Sequence, residues 1–162
     1  MKKAIISLDI DDSILPSEQT YFGKTDDALA LLEINLKRLV LMCENLNMEI
    51  FIISAWSSNL KTDENKNLMI KDNRLGDLEY KGISSGNMIC KYLSGYIYGI
   101  KDTGKENAIN NLLKDGHKVV TIEDTDFSHI KHENHLYLET FGLITNRHSY
   151  YIKKFLEPDY FN

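Results

Sequence analysis

Asp9, Asp11 and Asp12, with Ser13 directly behind them, end the short apolar run Ala4, Ile5, Ile6 and Leu8 near the start of the chain. Carboxylates crowded at the end of a buried segment repel one another and lose hydration, so a cation is expected to compensate them. Taken alone, such a triplet is more often an acidic turn capping a strand. Three further polar positions shift that balance. Ser54 follows the apolar residues Ile50 to Ile53, where a hydroxyl can donate to an anion or, more commonly, cap a helix or form a turn. Lys105 lies in Thr103-Gly104-Lys105-Glu106, which has the spacing of a capping box. A cation in a first helical turn is disfavoured by roughly 0.3–1 kcal/mol, so Lys105 either holds an anion or is simply solvated. Glu123 and Asp124 follow Val119, Val120 and Ile122 as a second acidic cluster, with Asp126 close behind. Carboxylates suit a hard divalent cation, and Mg2+ takes one or two of them together with waters and a phosphate. A hydroxyl and an ammonium suit an anion. The inventory fits phosphoryl transfer, where positioning and charge neutralisation dominate catalysis.

These groups act together only if the elements carrying them converge. Runs rich in β-branched and aromatic residues predict strands at Ala4–Leu8, Glu49–Ser54, Tyr96–Ile100 and His117–Ile122, with a short one near Leu136–Leu138. Between them, Ala28, Leu32, Leu36, Leu39, Cys43 and Leu46 recur at helical spacing, which predicts a helix over 26–45 capped by Thr25, with Asp26 and Asp27 in its first turn. A short helix starts at Ser84 or Ser85 and runs through Met88, Ile89, Tyr92 and Leu93. Another carries Ala108, Ile109, Leu112 and Leu113 and is ended by Gly116. A last one covers 147–156. This alternation predicts an α/β fold with a central parallel sheet and helices on both faces. All strands then point one way, so the polar groups gather on one edge, where such sheets bind ligands. The polar segment after Leu15-Pro16, through Lys24, is expected to form a small flap beside the acidic turn. Residues 59–82 are polar and weakly patterned, with a turn at Asn73–Asp77, and Asn59 to Ser94 leaves room for a modest insertion beside the site and for no large lid.

The chain of 162 residues shows no internal repeat or low-complexity linker, so a single domain is expected over 1–162. Its formal net charge of -5, without a long block of one sign, argues against a wide nucleic-acid-gripping face, though not against a local basic groove. Cys43 and Cys90 lie in apolar helical patterns and read as two buried thiols in a reducing compartment. The apolar run after Met1-Lys2-Lys3 is too short for a signal peptide, and no stretch reaches bilayer-spanning length. A cytoplasmic protein without a membrane partner or an obligate protein partner is expected. His129, His132 and His135 read as incidental histidines of a solvated loop, and Tyr150 and Tyr151 as packing residues.

The ordered set of four polar positions resembles the haloacid dehalogenase superfamily, whose phosphatases carry four motifs in this order. Asp9-Ile10-Asp11-Asp12-Ser13 is similar to the first, Ser54 to the second, Lys105 to the third and Glu123-Asp124 to the fourth. The resemblance covers Met1 to about Asp126 through motifs and the remainder through fold alone. It implies a three-layer Rossmann-like architecture, Mg2+ as cofactor and hydrolysis of phosphate monoesters. Asp9 would be the nucleophile, ionised at neutral pH because an ordinary Asp has a pKa of about 3.9. Asp11 would protonate the leaving oxygen and then deprotonate the attacking water. Ser54 and Lys105 would bind phosphoryl oxygens. Asp124 would hold Mg2+ with Asp9 and the backbone carbonyl of Asp11, and Glu123 is a further candidate ligand.

The sequence departs from the pattern in its Glu-Asp pair, where many relatives have Gly-Asp or Asp-Asp. That leaves the role of Glu123 open, and Asp126 can exchange with Asp124 by a turn shift. Lys101 competes with Lys105. Together with Ser54-Ala55-Trp56 and Phe141-Gly142-Leu143-Ile144-Thr145, the first motif is also similar to the phosphatase-like domains of Swiss-Army-Knife-type RNA repair proteins. The implied substrate is a phosphorylated small molecule or a nucleic-acid end. Trp56 either stacks a base near the phosphate or covers the site as a partly buried aromatic. Two other classes remain: a receiver domain, which needs an acceptor Asp where Ser54-Ala55-Trp56 stands, and a phosphate- or metal-binding module without catalysis.

Overall fold

The computed structural model describes residues 2–16, 25–72, 78–80, 82–101 and 104–161. In chain order, β1 (Ala4–Leu8) leads to α1 (Thr25–Leu46) and β2 (Met48–Ile53). A 3-10 turn over Ala55–Asn59 then opens two hairpins, β3 (Leu60–Thr62) with β4 (Leu68–Ile70) and β5 (Glu79–Tyr80) with β6 (Ile83–Ser84). They are followed by α2 (Ser85–Leu93), β7 (Ile97–Lys101), α3 (Lys105–Lys114), β8 (Val119–Glu123), β9 (His135–Glu139) and α4 (Asn146–Leu156).

Five strands form one parallel sheet in the order β7-β2-β1-β8-β9. The period-two alternation of β1 sets the layers. Ile6 and Leu8 belong to a core shared with Leu32, Leu36 and Leu39 of α1, Ile89 and Leu93 of α2 and Ile152 of α4. Ile5, one residue away, packs instead with Ala108, Ile109, Leu112 and Leu113 of α3. The fold is thus a three-layer, Rossmann-like α/β sandwich, and its described residues contain no large cap. Burial on both faces explains why β1 and β8 read as apolar runs rather than alternating ones. Each fully buried Leu or Ile stabilises by about 1.5–3 kcal/mol.

From β1 the chain builds outward through β2 to β7, then crosses back to lay β8 on the other side of β1. The reversal falls between β1 and β8, and in open α/β sheets the ligand crevice lies outside the carboxyl ends of the strands at such a point.

Several expected boundaries move. The β3–β4 hairpin does not lie over that point. Its turn reaches the opposite end of the sheet, where Gly95 N–H donates to the Lys66 carbonyl at 2.7 Å and Lys66 Nζ pairs with Glu49 at 2.6 Å. With Leu60 and Leu68 in the core, it packs beside the outer strand β7 and shields that edge. α3 starts at Lys105 with Gly104 as its N-cap, at φ 67 and without a side-chain cap, so Glu106 is the second helical residue and closes no capping box. The expected cap Thr103, the flap over 17–24 and the turn over 73–77 lie outside the described residues, as does the side chain of Thr25. α2 begins as expected, with Ser84 accepting the Asn87 N–H, and Gly116 follows α3 at φ 89.

His135 is not in a solvated loop. It sits half-buried in β9, bonded to the Thr121 hydroxyl and the Ile130 carbonyl, because the strand starts one residue earlier than its apolar core suggests. His129 pairs with Glu106 at 3.0 Å instead. Tyr150 and Tyr151 stack edge to face at the surface, since α4 turns them away from the sheet that buries Ile152. Cys43 and Cys90 form no disulfide. Among the described residues no helix is long and apolar enough to cross a membrane.

Candidate metal centre at the carboxyl edge of the sheet

Immediately after β1 the backbone folds back on itself. The N–H groups of Ser13, Ile14 and Leu15 all reach the Ile10 carbonyl, at 3.2, 3.0 and 3.0 Å. Asp12 takes the left-handed conformation that closes the turn, φ 59, which Asp tolerates better than most side chains. The turn carries Ser13 back beneath Asp9, where its hydroxyl donates to Asp9 Oδ2 at 3.0 Å. Ser13 Oγ also accepts the Asp124 N–H at 3.2 Å and lies 3.5 Å from Asp124 Oδ1. One buried serine therefore links the two acidic loops, 111 residues apart in sequence.

Pairing of β1 with β8, Leu8 opposite Ile122, sets Asp9 beside Glu123. Both are almost fully buried, at 6% and 3% exposure. From the first turn of α3, Lys105 Nζ reaches Asp9 Oδ1 at 3.1 Å and Glu123 Oε2 at 3.0 Å. One carboxylate oxygen from each of Asp9, Glu123 and Asp124 lies within 4.8 Å of the others. With all three carboxylates ionised, the single ammonium would leave two negative charges uncompensated at this edge.

Glu123 shows the consequence. Burial first, then contact with Asp124 and the Asp9 charge, pushes its carboxyl up to about 8, against the partial relief from Lys105. Glu123 and Asp124 can share a hydrogen bond only when one of them carries a proton. With both ionised, Glu123 Oε1 is buried with no donor. For Lys105, burial works against the charge, but Asp9 and Glu123 outweigh it and its pKa is raised.

Asp11 stands at the rim, and its carboxylate is not among the three that converge. The indole Nε1–H of Trp56 donates to Asp11 Oδ1 at 3.1 Å. Partial burial raises the Asp11 pKa, the Trp56 bond resists, and the charges of Asp9, Asp12 and Asp124 add to the rise. Trp56 itself is 6% exposed. A ring so covered offers no open face for stacking, which leaves the site-covering role of its two readings. Ser54 ends β2 as the N-cap of the 3-10 turn: its Oγ accepts the Trp56 N–H at 3.2 Å, and Ser57 closes a capping box. The capping role is therefore present in the geometry, and no described acceptor takes the Ser54 hydroxyl hydrogen.

Of the two competing lysines, Lys105 is the one at Asp9; Lys101 is exposed at the end of β7, two strands from β1. Asp126 is likewise outside the cluster, exposed and accepting the Ser128 N–H at 2.7 Å.

Two residues that support the site were not singled out from the sequence. Asn35 is wholly buried on α1 and Thr140 is buried just past β9; both bond to the Asp9 loop and to the segment 142–144. Asn35 had a visible signal, being a polar residue within the apolar stripe of Leu32, Leu36 and Leu39. Thr140 had none.

No family model, curated protein or solved structure matches this chain. Fold and site define an α/β protein with a largely buried acidic, lysine-bearing cluster at the reversal point of its sheet.

Proposed function

We propose that the protein is a Mg2+-dependent phosphatase of the haloacid dehalogenase type, hydrolysing phosphate monoesters on small molecules or nucleic-acid ends through an aspartyl-phosphate. The observation that carries this reading is the orphaned Glu123 Oε1, buried among three carboxylates with a single ammonium. A divalent cation that displaced the Glu123 proton would balance the two excess negative charges of the ionised cluster and give Glu123 Oε1 a partner. Asp9, Glu123 and Asp124 are the residues that would hold it, and an all-oxygen donor set favours a hard ion such as Mg2+. When bound, the cation neutralises the carboxylates and the phosphoryl group, so that one anion can approach another. The charge deficit thus fits the cofactor that the motifs imply.

The remaining chemistry belongs to the chain. Ser13 and Lys105 fix the two oxygens of Asp9 from opposite sides. In the first step an Asp9 oxygen bonds to phosphorus while the ester P–O bond breaks, and Asp11 gives its proton to the departing oxygen. In the second, water attacks phosphorus, Asp11 takes its proton, and phosphate leaves as the Asp9 carboxylate is restored. An elevated Asp11 pKa, held in check by Trp56, suits a group that must carry the proton part of the time.

One observation favours a second reading, a cation- and phosphate-binding module without turnover: Ser54 is 1% exposed and already engaged as a cap. Hydrolysis of an aryl phosphate with Mg2+ separates the two. Turnover by the wild type that falls at least about a thousandfold in Asp9→Asn supports the phosphatase. Activity that survives the substitution ends the covalent route, and cation binding without any turnover selects the module.

A further inference from the structure

We propose that Asn35 is a positioning residue of this site, holding the Asp9 loop and the segment 142–144 in the one arrangement that keeps Asp9 and Asp124 convergent. The inference rests on the cation-site reading above. Asn35 lies on the core-facing stripe of α1, between Leu32, Leu36 and Leu39, and is 0% exposed. An apolar residue would suit that stripe. A buried amide there is tolerable only with its polar atoms partnered, and the partners it has are not on its own helix. Nδ2 donates to the Ile14 carbonyl at 2.8 Å and to the Gly142 carbonyl at 2.9 Å, and Oδ1 accepts the Ile144 N–H at 2.7 Å.

Ile14 is the neighbour of Ser13, which bonds both Asp9 and the Asp124 N–H. The path from the amide to the carboxylates is therefore short: Asn35 fixes the Ile14 carbonyl, which fixes the backbone that aims Ser13. The other loop is tied in from two further directions. Thr140 Oγ1 lies 3.3 Å from the Ser13 carbonyl and 3.1 Å from that of Leu143, and Arg38, one turn along α1, donates to the Ile144 carbonyl. The loops touch closely at Gly142, where a Cβ would meet Pro16 Cγ at 3.0 Å. A buried polar network of this kind selects one arrangement of the segments it joins.

Trp56, the sole tryptophan, provides the readout because its indole is bonded to Asp11 in the loop that Asn35 holds. The comparison is between Asn35→Leu and Leu39→Ala, the latter removing core packing one turn along the same stripe and no hydrogen bond to either loop. The expected result is that Asn35→Leu keeps the far-ultraviolet circular dichroism of the wild type, shifts Trp56 emission and binds Tb3+ at least tenfold more weakly by sensitised luminescence. Leu39→Ala should lose thermal stability yet keep both readouts in its folded state. Wild-type emission and Tb3+ affinity in Asn35→Leu would overturn the proposal, and so would equal losses in Leu39→Ala, which mark a merely structural role. If Asn35→Leu does not fold, Asn35→Asp, which keeps the acceptor for Ile144 and removes both donor bonds, is judged by the same criteria. A wild type that binds no Tb3+ and hydrolyses no aryl phosphate defeats the proposed function; Asn35 is then decided by the emission shift alone.

Discussion

Glu123 carries the sharpest consequence at the scale of one residue. Its carboxyl is raised from an ordinary 4.5 to about 8, foremost by burial. The folded, metal-free protein therefore holds a proton there that the unfolded chain releases near 4.5. The sign follows: this stabilisation is complete below about 4.5 and is lost as pH rises through about 8. In EDTA, thermal melts of the wild type should lose stability between these limits relative to Glu123→Gln, which keeps the neutral form at every pH. Parallel curves for the two proteins would show that Glu123 titrates normally. A second residue-level prediction concerns Asp11. Trp56→Phe retains the ring and removes the Nε1–H donor, which lowers the cost of protonating Asp11. The Asp11 pKa should move further up, measured by carboxyl carbon NMR titration, with little change in fold.

At the scale of elements, the site depends on two loops pressed together at the carboxyl edge. Gly142 is at φ 89, and its position against Pro16 leaves no comfortable space for a side chain. Gly142→Ala should cost about 1–3 kcal/mol, from the left-handed backbone and the contact together, visible as a lower denaturation midpoint. A smaller effect accompanies substitution of glycines that meet nothing nearby, such as Gly82. The first turn of α3 is the other decisive element. Lys105 occupies the position that the helix dipole disfavours, and its ion pairs with Asp9 and Glu123 more than compensate. Lys105→Met, which leaves Asp9 and Glu123 buried without their ammonium, should lower the melting temperature and, if the protein is the proposed phosphatase, lower turnover of an aryl phosphate at least about a hundredfold.

For the whole molecule, cation binding and stability are linked. A ligand that binds only the folded state stabilises it by RT ln(1 + [L]/Kd), about 2.7 kcal/mol at a hundredfold excess over Kd. Bound as proposed, Mg2+ would have to displace the Glu123 proton, so the rise in melting temperature on adding Mg2+ should be larger at pH 8 than at pH 6. An equal rise at both values would place the cation away from Glu123.

The parallel α/β sandwich was legible in the chain because strands buried on both faces must be continuously apolar, and helices packed on them must repeat every three or four residues. Five strands and four helices follow from that patterning. So does the gathering of Asp9, Lys105, Glu123 and Asp124 on one edge, since parallel strands share a direction. Other features were decided by contacts between distant segments, which local periodicity does not encode. The order β7-β2-β1-β8-β9 put Asp9 beside Glu123, and the choice of Lys105 over Lys101 and of Asp124 over Asp126 followed from that adjacency. The tertiary structure also buried Trp56 and recruited Asn35, because the partners and solvent exposure of such residues are set only when segments distant in the chain meet.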